Sequence, residues 1–274
     1  MSAFMRYPGF RMKALTFSYD DGAYKDVRLA EIFLKYNLSA TFNLCTLPEE
    51  SGTGKVSIAE AKEIFSKKNF EVAVHGARHL TWTEVEPAVA TRDIMSNREN
   101  LENIFEKVIN GCVYPCGAYN DKVVEILKDC GIKYCRTVES TEGFKLPSDW
   151  LRLRPTCHHA NPRLMELADK FLSIEKASYF WSNKPLLFYV WGHSFEFRDE
   201  SDWGVIEKFA EKMSGKDDIW YATNGEIADY VRAFDRLIFS ADLSYVENPS
   251  AIDVYIDILG KELIVPAGKM IEIK

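Results

Sequence analysis

The sequence lacks the long apolar runs, the excess of basic residues and the low-complexity segments that characterise several protein classes. No stretch approaches the roughly twenty apolar residues of a membrane-spanning helix, so no membrane partner is expected. Lys and Arg number 34 against 41 Asp and Glu, which gives a net charge of -7. Because nucleic-acid-binding proteins usually carry a basic surface, a nucleic acid is not expected as a partner, and a neutral sugar chain fits better than an anionic polymer.

Two further absences concern the cell compartment. Arg6, Pro8 and Arg11 interrupt the apolar residues near the start, so the residues before the first strand show no signal-peptide pattern. Six cysteines in 274 residues need not form a disulfide framework, and buried thiols are the simpler interpretation. We therefore expect a cytoplasmic protein with reduced cysteines.

The composition that is present, 47% hydrophobic and 27% charged residues, is that of a globular protein with a full core. Short apolar runs typical of strands alternate with amphipathic segments at helical spacing. This order predicts an α/β fold in which helices cover parallel strands, and seven or eight such strands predict a barrel. The predicted strands are 14–17, 40–44, 71–75, 112–115, 133–138, 151–156, 186–191 and 219–222.

The alternation of strands and helices stops near Asp235. The remaining residues show strand patterns separated by turn signals at Asn248-Pro249 and Gly260, which is typical of antiparallel strands. We predict one domain over residues 1–235 and a small antiparallel β appendage over residues 236–274.

Acidic and histidine side chains follow the ends of several predicted strands. Asp20 and Asp21 end the first strand, and His193 follows a later one. His75 ends the third strand, and His79 lies four residues beyond it. The ends of parallel strands in a β/α barrel open onto one face, where active sites form, so we expect these side chains to converge.

One Asp and two His side chains are a known ligand set for a catalytic divalent metal. Such a metal lowers the pKa of a bound water from about 15.7 towards about 7 and polarises a carbonyl group. A second carboxylate can then act as a base, and an imidazole on the opposite side can protonate the leaving group. The set suits Zn²⁺, and Co²⁺, Ni²⁺ and Mn²⁺ are also compatible with it. The pattern therefore indicates metal-assisted hydrolysis.

Four segments of the sequence contain or flank these residues: SYDDG at 18–22, HGARH at 75–79, YPCGAYN at 114–120 and VWGH at 190–193. They resemble, in this order, the motifs of the polysaccharide deacetylase (NodB-homology, carbohydrate esterase family four) family. The agreement in order and spacing extends from about Lys13 to Phe234. The resemblance implies a distorted, incomplete (β/α) barrel of about seven strands and the removal of acetyl groups from an N- or O-acetylated carbohydrate.

The resemblance also implies a role for each matching residue. Asp21, His75 and His79 would bind the metal. Asp20 would be the general base, and His193 would be the general acid.

Further residues would contact the substrate. The backbone N–H near Cys116, together with the metal, would stabilise the tetrahedral oxyanion. The substrate and oxyanion contacts would come from Tyr114, Pro115, Cys116 and Trp191. Tyr119, Trp191, Phe195 and Trp203 either line a sugar pocket or pack in the core.

One position departs from the family pattern. The arginine that opens the third motif, and that orients the base in the family, is Val113 here. Alternation along a strand would place Arg152 and Arg154 on one face. Our hypothesis is that Arg154 pairs with Asp20 and replaces the missing arginine.

Other interpretations remain open. The same site could act on a small cytosolic N-acyl compound, or the chain could be a non-catalytic carbohydrate-binding relative. Cys157-His158-His159 suggests a second metal site, but adjacent strand residues point to opposite faces, and we do not expect them to share an ion. The oligomeric state is not predicted.

Overall fold

A parallel sheet, curled into an incomplete barrel, carries most of the structure. The computed structural model describes residues 3–52, 54–175, 184–258 and 260–273. The strands are β1 Ala3–Arg6, β2 Lys13–Asp20, β3 Ala40–Leu44, β4 Phe70–Val74, β5 Gly111–Val113, β6 Tyr134–Arg136, β7 Cys157–His158, β8 Leu186–Gly192, β9 Ile219–Tyr221, β10 Ile238–Phe239, β11 Tyr245–Glu247, β12 Val254–Ile258, β13 Lys261–Val265 and β14 Met270–Glu272. The helices are α1 Asp26–Lys35, α2 Ile58–Phe65, α3 Pro87–Phe105, α4 Asp121–Asp129, α5 Leu164–Leu172, α6 Glu200–Met213 and α7 Asn224–Asp235.

The strand order in the large sheet is β6-β5-β4-β3-β2-β8-β7, and all of its described pairs are parallel. Strand β9 pairs with residues 13–15 of β2, whereas β3 pairs with residues 17–20 of the same strand. All eight residues of β2 are buried, because helices cover both faces of the sheet. The predicted fold class, a distorted and incomplete (β/α) barrel of about seven strands, is confirmed.

Local sequence signals set several helix ends. Ser57 and Glu60 form a capping box at the start of α2. Helix α3 begins at Pro87, and Glu106 ends it in the left-handed conformation.

Two predictions for the second half of the chain are wrong. Residues 151–156 do not form a strand, because Asp149 Oδ1 accepts a hydrogen bond from Leu151 N at 2.9 Å and starts a 3₁₀ turn. Helix α5 does not begin directly after Asn161. The Asn161 side chain accepts from Arg163 N at 2.8 Å, and this turn delays the helix.

The C-terminal residues form two three-stranded antiparallel sheets, β1-β12-β13 and β10-β11-β14. The first of these includes strand β1 from the start of the chain, which the sequence analysis did not anticipate. Arg6 and Asp257 join β1 to β12 by a buried ion pair of 2.8 Å. The division of the chain at residue 235 stays a prediction. Among the described residues, no helix has the length and apolar character needed to cross a membrane.

Candidate active site

The predicted catalytic side chains meet at the C-terminal ends of the parallel strands, a face that we call the mouth. Asp20 is the last residue of β2, His75 directly follows β4, and His193 directly follows β8. Arg136, the last residue of β6, also lies there. All five histidines of the sequence lie at this mouth. Parallel strand order therefore brings together groups that are far apart in sequence.

Asp21, His75 and His79 form a compact cluster. Asp21 Oδ1 lies 3.3 Å from His75 Nε2 and 3.4 Å from His79 Nε2. The ligand atoms of all three residues lie within 4.8 Å of one another. Atoms this close together could share one ion.

The ring nitrogen of His75 that faces away from Asp21 is the one that carries the proton. His75 Nδ1 lies 3.3 Å from the carbonyl oxygen of Val113, which can only accept a hydrogen bond. In the neutral ring, Nδ1 therefore carries the proton and Nε2 presents its lone pair to Asp21. His75 Nε2 is buried and has no hydrogen-bond partner among the residues described. Two acceptors that face each other in this way fit a cation between them.

The ionisation of the cluster also suits a cation. Although burial opposes ionisation, the contact with His75 and the nearby imidazoles lower the pKa of Asp21 to about 2. Burial, reinforced by the neighbouring ring of His75, lowers the pKa of His79 below its usual value. An ionised carboxylate and neutral imidazoles are the forms that bind a metal.

Three of the predicted site residues have strained backbone conformations. The φ angles of Asp21, His79 and Cys116 are 80°, 53° and 57°, in the left-handed region that residues other than glycine rarely adopt. Strain of this kind is often found at functional sites, where the surrounding structure holds it in place.

Asp93 of helix α3 holds the loop that carries the two histidines. Its buried carboxylate accepts hydrogen bonds from Trp82 Nε1 and from Arg78 N, both at 3.0 Å. Gly76 is required beside it, because its φ is 77° and a Cβ atom there would lie 2.5 Å from Asp93 Oδ2. This glycine stands where the family motif usually has Ser or Thr.

Two residues hold the carboxylate of Asp20. Arg136 Nη2 forms an ion pair with Asp20 Oδ2, and Asn43 Nδ2 donates to Asp20 Oδ1 at 2.8 Å. The Asp20 side chain is 3% exposed and that of Arg136 is fully buried, which keeps this pair away from competing solvent. Asp20 is therefore fixed in one orientation beside the Asp21 cluster.

His193 lies on the other side of Asp20. Its Nε2 is 3.9 Å from Asp20 Oδ2, and its Nδ1 is 3.4 Å from Glu196 Oε1. Although burial favours the neutral ring, Glu196 and the charge of Asp20 raise the pKa of His193 above its usual value. His193 is thus held so that it can carry a proton towards the mouth.

The sequence model of the polysaccharide deacetylase family matches residues 8–135, which include Asp20, Asp21, His75 and His79. Over these residues the chain is similar to the polysaccharide deacetylase family. No curated protein matches the sequence significantly.

Solved structures of this family share the fold. A candidate polysaccharide deacetylase from Mycobacterium smegmatis is 18% identical with a TM-score of 0.60, covering 85% of this chain and 95% of that one. A CE4 family pseudoenzyme from Bacillus anthracis is 15% identical with a TM-score of 0.51, covering 82% of this chain and 68% of that one. A Streptococcus pyogenes deacetylase in complex with acetate is 22% identical with a TM-score of 0.46, covering 50% of this chain, which spans only 61% of its length. At these identities the first two structures show the fold alone.

The arginine of the deacetylase family motif has a different replacement from the one predicted. The hypothesis that Arg154 pairs with Asp20 is wrong, because Arg154 Nη2 forms a 2.5 Å ion pair with Glu139 and is more than half exposed. The strand that would have directed it inward does not exist, and Arg136 takes the position instead. A charged residue at the end of a predicted buried strand was the signal that could have identified Arg136.

The third deacetylase motif forms a 3₁₀ turn, Pro115–Gly117, with Cys116 exposed at the mouth. The Tyr114 side chain faces the core, where its hydroxyl donates to Leu151 O at 2.6 Å. The Tyr114 side chain is therefore not placed to contact a substrate. The oxyanion role of Cys116 stays a prediction.

The candidate sugar-binding aromatic residues divide into two groups. Trp191 and Trp203 are buried, and the Arg136 guanidinium lies 4.3 Å from the centre of a Trp191 ring. Tyr119 is half-buried, and Phe195 is 50% exposed. Core packing is therefore the role of the two tryptophans, and Trp191 supports Arg136 instead of lining a pocket.

A second cluster of histidines surrounds Glu196. Its Oε2 lies 3.0 Å from His158 Nε2 and 3.3 Å from His159 Nε2. The expectation that these adjacent histidines diverge is wrong for their imidazoles, because His159 lies just beyond the two-residue strand β7. His158 Nδ1 accepts a hydrogen bond from Ala160 N at 3.2 Å. Cys157 is buried and does not belong to the cluster.

Proposed function

We propose that this protein is a metal-dependent hydrolase that removes acetyl groups from an N- or O-acetylated carbohydrate. The observation that carries the proposal is the compact cluster of Asp21, His75 and His79, whose ligand atoms lie within 4.8 Å of one another, with the carboxylate of Asp20 fixed beside it. A cation site with a separate base is the arrangement that metal-assisted hydrolysis requires.

Asp21, His75 and His79 would hold the metal ion. The donor set suits Zn²⁺, with Co²⁺, Ni²⁺ and Mn²⁺ as further candidates. A divalent ion bound there would polarise the acetyl carbonyl group and favour the ionisation of a water molecule.

The chain's own residues supply the proton transfers. Asp20 accepts the proton of the attacking water, and Arg136 and Asn43 keep its carboxylate directed at that position. His193 donates a proton to the departing nitrogen or oxygen. Glu196 directs the ring by facing its Nδ1, so that Nε2 is turned towards the reaction.

The two alternative functions differ in their support. The non-catalytic interpretation rested on the arginine missing at Val113, and Arg136 supplies that contact to Asp20. The small N-acyl compound uses the same groups and differs only in the substrate. A substrate panel therefore decides between the remaining candidates.

The main test is Asp20→Asn. We expect turnover to fall by about 10²- to 10⁴-fold, because the amide cannot accept the proton, while the bound metal is retained. Acetate release from chito-oligosaccharides, acetylated xylan and small N-acyl compounds is measured beside metal content by mass spectrometry. Asp169→Asn, in helix α5 at an exposed ion pair with Lys212, is the matched control and should leave both unchanged.

Full activity of Asp20→Asn would refute the assignment of the base. Acetate release from the small N-acyl compounds alone would favour the second substrate class.

A further inference from the structure

A pocket of about 800 Å³ lies between helices α5 and α6, on the same face of the sheet as the candidate active site. It lies beyond the C-terminal ends of β7 and β8, and we call it the α5–α6 pocket. The apolar side chains that form its walls are Leu164, Met165, Phe195, Phe197, Val205 and Ile206.

The pocket begins beside His193. The Phe195 ring, which forms part of its wall, lies 4.9 Å from the His193 ring between centroids. Glu196 also lines the pocket, and its Oε1 lies 3.4 Å from His193 Nδ1. A molecule that reaches from the reacting acetyl group past His193 therefore meets this pocket.

Some polar groups of the pocket are already engaged. Arg198 Nε lies 3.3 Å from Asp202 Oδ2, so these opposite charges offset each other. The amide of Asn161 donates to Glu142 at 3.0 Å and accepts from Arg163 N at 2.8 Å. Sugar hydroxyls need hydrogen-bond partners when they are buried, and the apolar side chains that form most of the walls offer none.

The apolar walls reach the solvent. Phe195 is 50% exposed and Val205 is 47% exposed, and both line the pocket. A ligand that covers such side chains removes apolar surface from water, which favours binding. The pocket thus suits an uncharged apolar group.

We propose that the α5–α6 pocket binds an alkyl or aryl group attached to the leaving-group side of the acetylated substrate. This inference rests on the proposed function, in which His193 donates its proton to the departing nitrogen or oxygen. The departing part of the substrate consequently lies next to His193, and its extension passes Phe195 into the pocket. The preferred substrate is an acetylated amine or sugar that carries an apolar substituent.

The test compares two substrates that share one acetylated sugar, methyl and octyl N-acetyl-β-D-glucosaminide, in the metal-loaded protein. We expect KM to be about tenfold lower for the octyl compound, because its chain becomes buried. Val205→Glu places a carboxylate at the opening and should bring the two KM values within about twofold. Val89→Glu, at a similarly exposed helical valine in α3, should preserve the tenfold difference.

Binding of octyl β-D-glucoside, which has no acetyl group, is measured in parallel by ligand-observed NMR below its micelle concentration. Weaker binding in Val205→Glu, but not in Val89→Glu, supports the pocket even if neither substrate releases acetate, in which case only the proposed function fails. The inference is overturned if the KM values for the two substrates are equal and octyl glucoside binding is absent or insensitive to Val205→Glu. The proposed function then still stands. Unchanged thermal unfolding of both variants excludes a loss of fold as the cause.

Discussion

Two clusters of two imidazoles and one carboxylate lie at the same mouth, and they differ in the group that faces the second ring nitrogen. At His75 that group is the carbonyl of Val113, so Nε2 is left as an acceptor opposite Asp21. At His158 it is the N–H of Ala160, so Nε2 carries the proton and directs it at Glu196. The first arrangement leaves a lone pair and a carboxylate facing each other, which suits a cation, whereas in the second the proton of His158 already faces the carboxylate.

The comparison shows that ligand type and spacing do not define a metal site. Both clusters have the composition and the distances of one. The contact behind each imidazole decides whether its lone pair or its proton points at the carboxylate. On this distinction the proposed metal ion would be bound at Asp21, and Glu196 would have the separate role of holding His193.

The largest expected difference between the clusters is in metal content. His79→Ala should lose the bound metal and reduce acetate release to background, because one of three ligands is removed. His158→Ala should keep one metal ion per chain. Metal analysis of both purified variants measures this, and an equal loss from His158→Ala would remove the distinction drawn above.

Glu196→Gln tests the second cluster. We expect kcat to fall by about 10- to 100-fold with metal content unchanged. The reason is that a neutral amide orients the His193 ring less strongly than an ionised carboxylate does. Glu196 contributes to the raised pKa of His193, so its loss lowers that pKa and moves the alkaline limb of the kcat profile to lower pH. Glu142→Gln, at a carboxylate that binds Arg163, is the control. An unchanged pH profile in Glu196→Gln would mean that Glu196 is only structural.

A smaller effect is expected at the arginine that holds the base. Arg136→Lys keeps the charge but loses the planar group that contacts both Asp20 and Trp191, and kcat should fall by about tenfold. Arg154→Lys should have no effect, because Arg154 pairs with Glu139. Steady-state kinetics on the two variants measures the difference. A larger loss of kcat in Arg154→Lys than in Arg136→Lys would favour the hypothesis that Arg154 holds Asp20.

The smallest effect concerns Asp26, a buried carboxyl group near Asp20 and Asp21. Burial, with added repulsion from these two carboxylates, raises its pKa to about 8. Above about pH 4 the unfolded chain releases this proton, whereas the folded chain keeps it until about pH 8, so stability falls across this range. Asp26→Asn should reduce the fall in the free energy of unfolding between pH 5 and pH 8. Denaturant titrations of the two metal-free proteins at pH 5 and pH 8 measure the free energy of unfolding. If it falls equally with pH in both proteins, Asp26 is not the cause of the fall.

The positions of the catalytic groups were predictable, because they depend on local pattern. Apolar runs define the strands, and the residues directly after them, such as Asp20, His75 and His193, must then lie at one mouth. Their roles as base, metal ligand and acid stay predictions that the experiments above test.

The supporting contacts were not predictable in the same way. Arg136 and Asp20 are 116 positions apart, and no periodicity relates them. Their contact depends on the curl of the sheet. The error at Arg154 has a local cause, because Asp149 starts a 3₁₀ turn where alternation suggested a strand. Glu196 lies three residues after His193, but only the fold brings His158 to it.

The sheet that joins the two ends of the chain has a consequence for folding. Strand β1 pairs with β12, and Arg6 forms an ion pair with Asp257, which lies 251 positions away in the sequence. Forming this sheet therefore closes a long loop, which has a high cost in conformational entropy. We expect it to form only after the barrel has brought the two strands together. Until residues 254–258 have been synthesised, β1 exposes an unpaired edge, and a nascent chain is open to misassociation there.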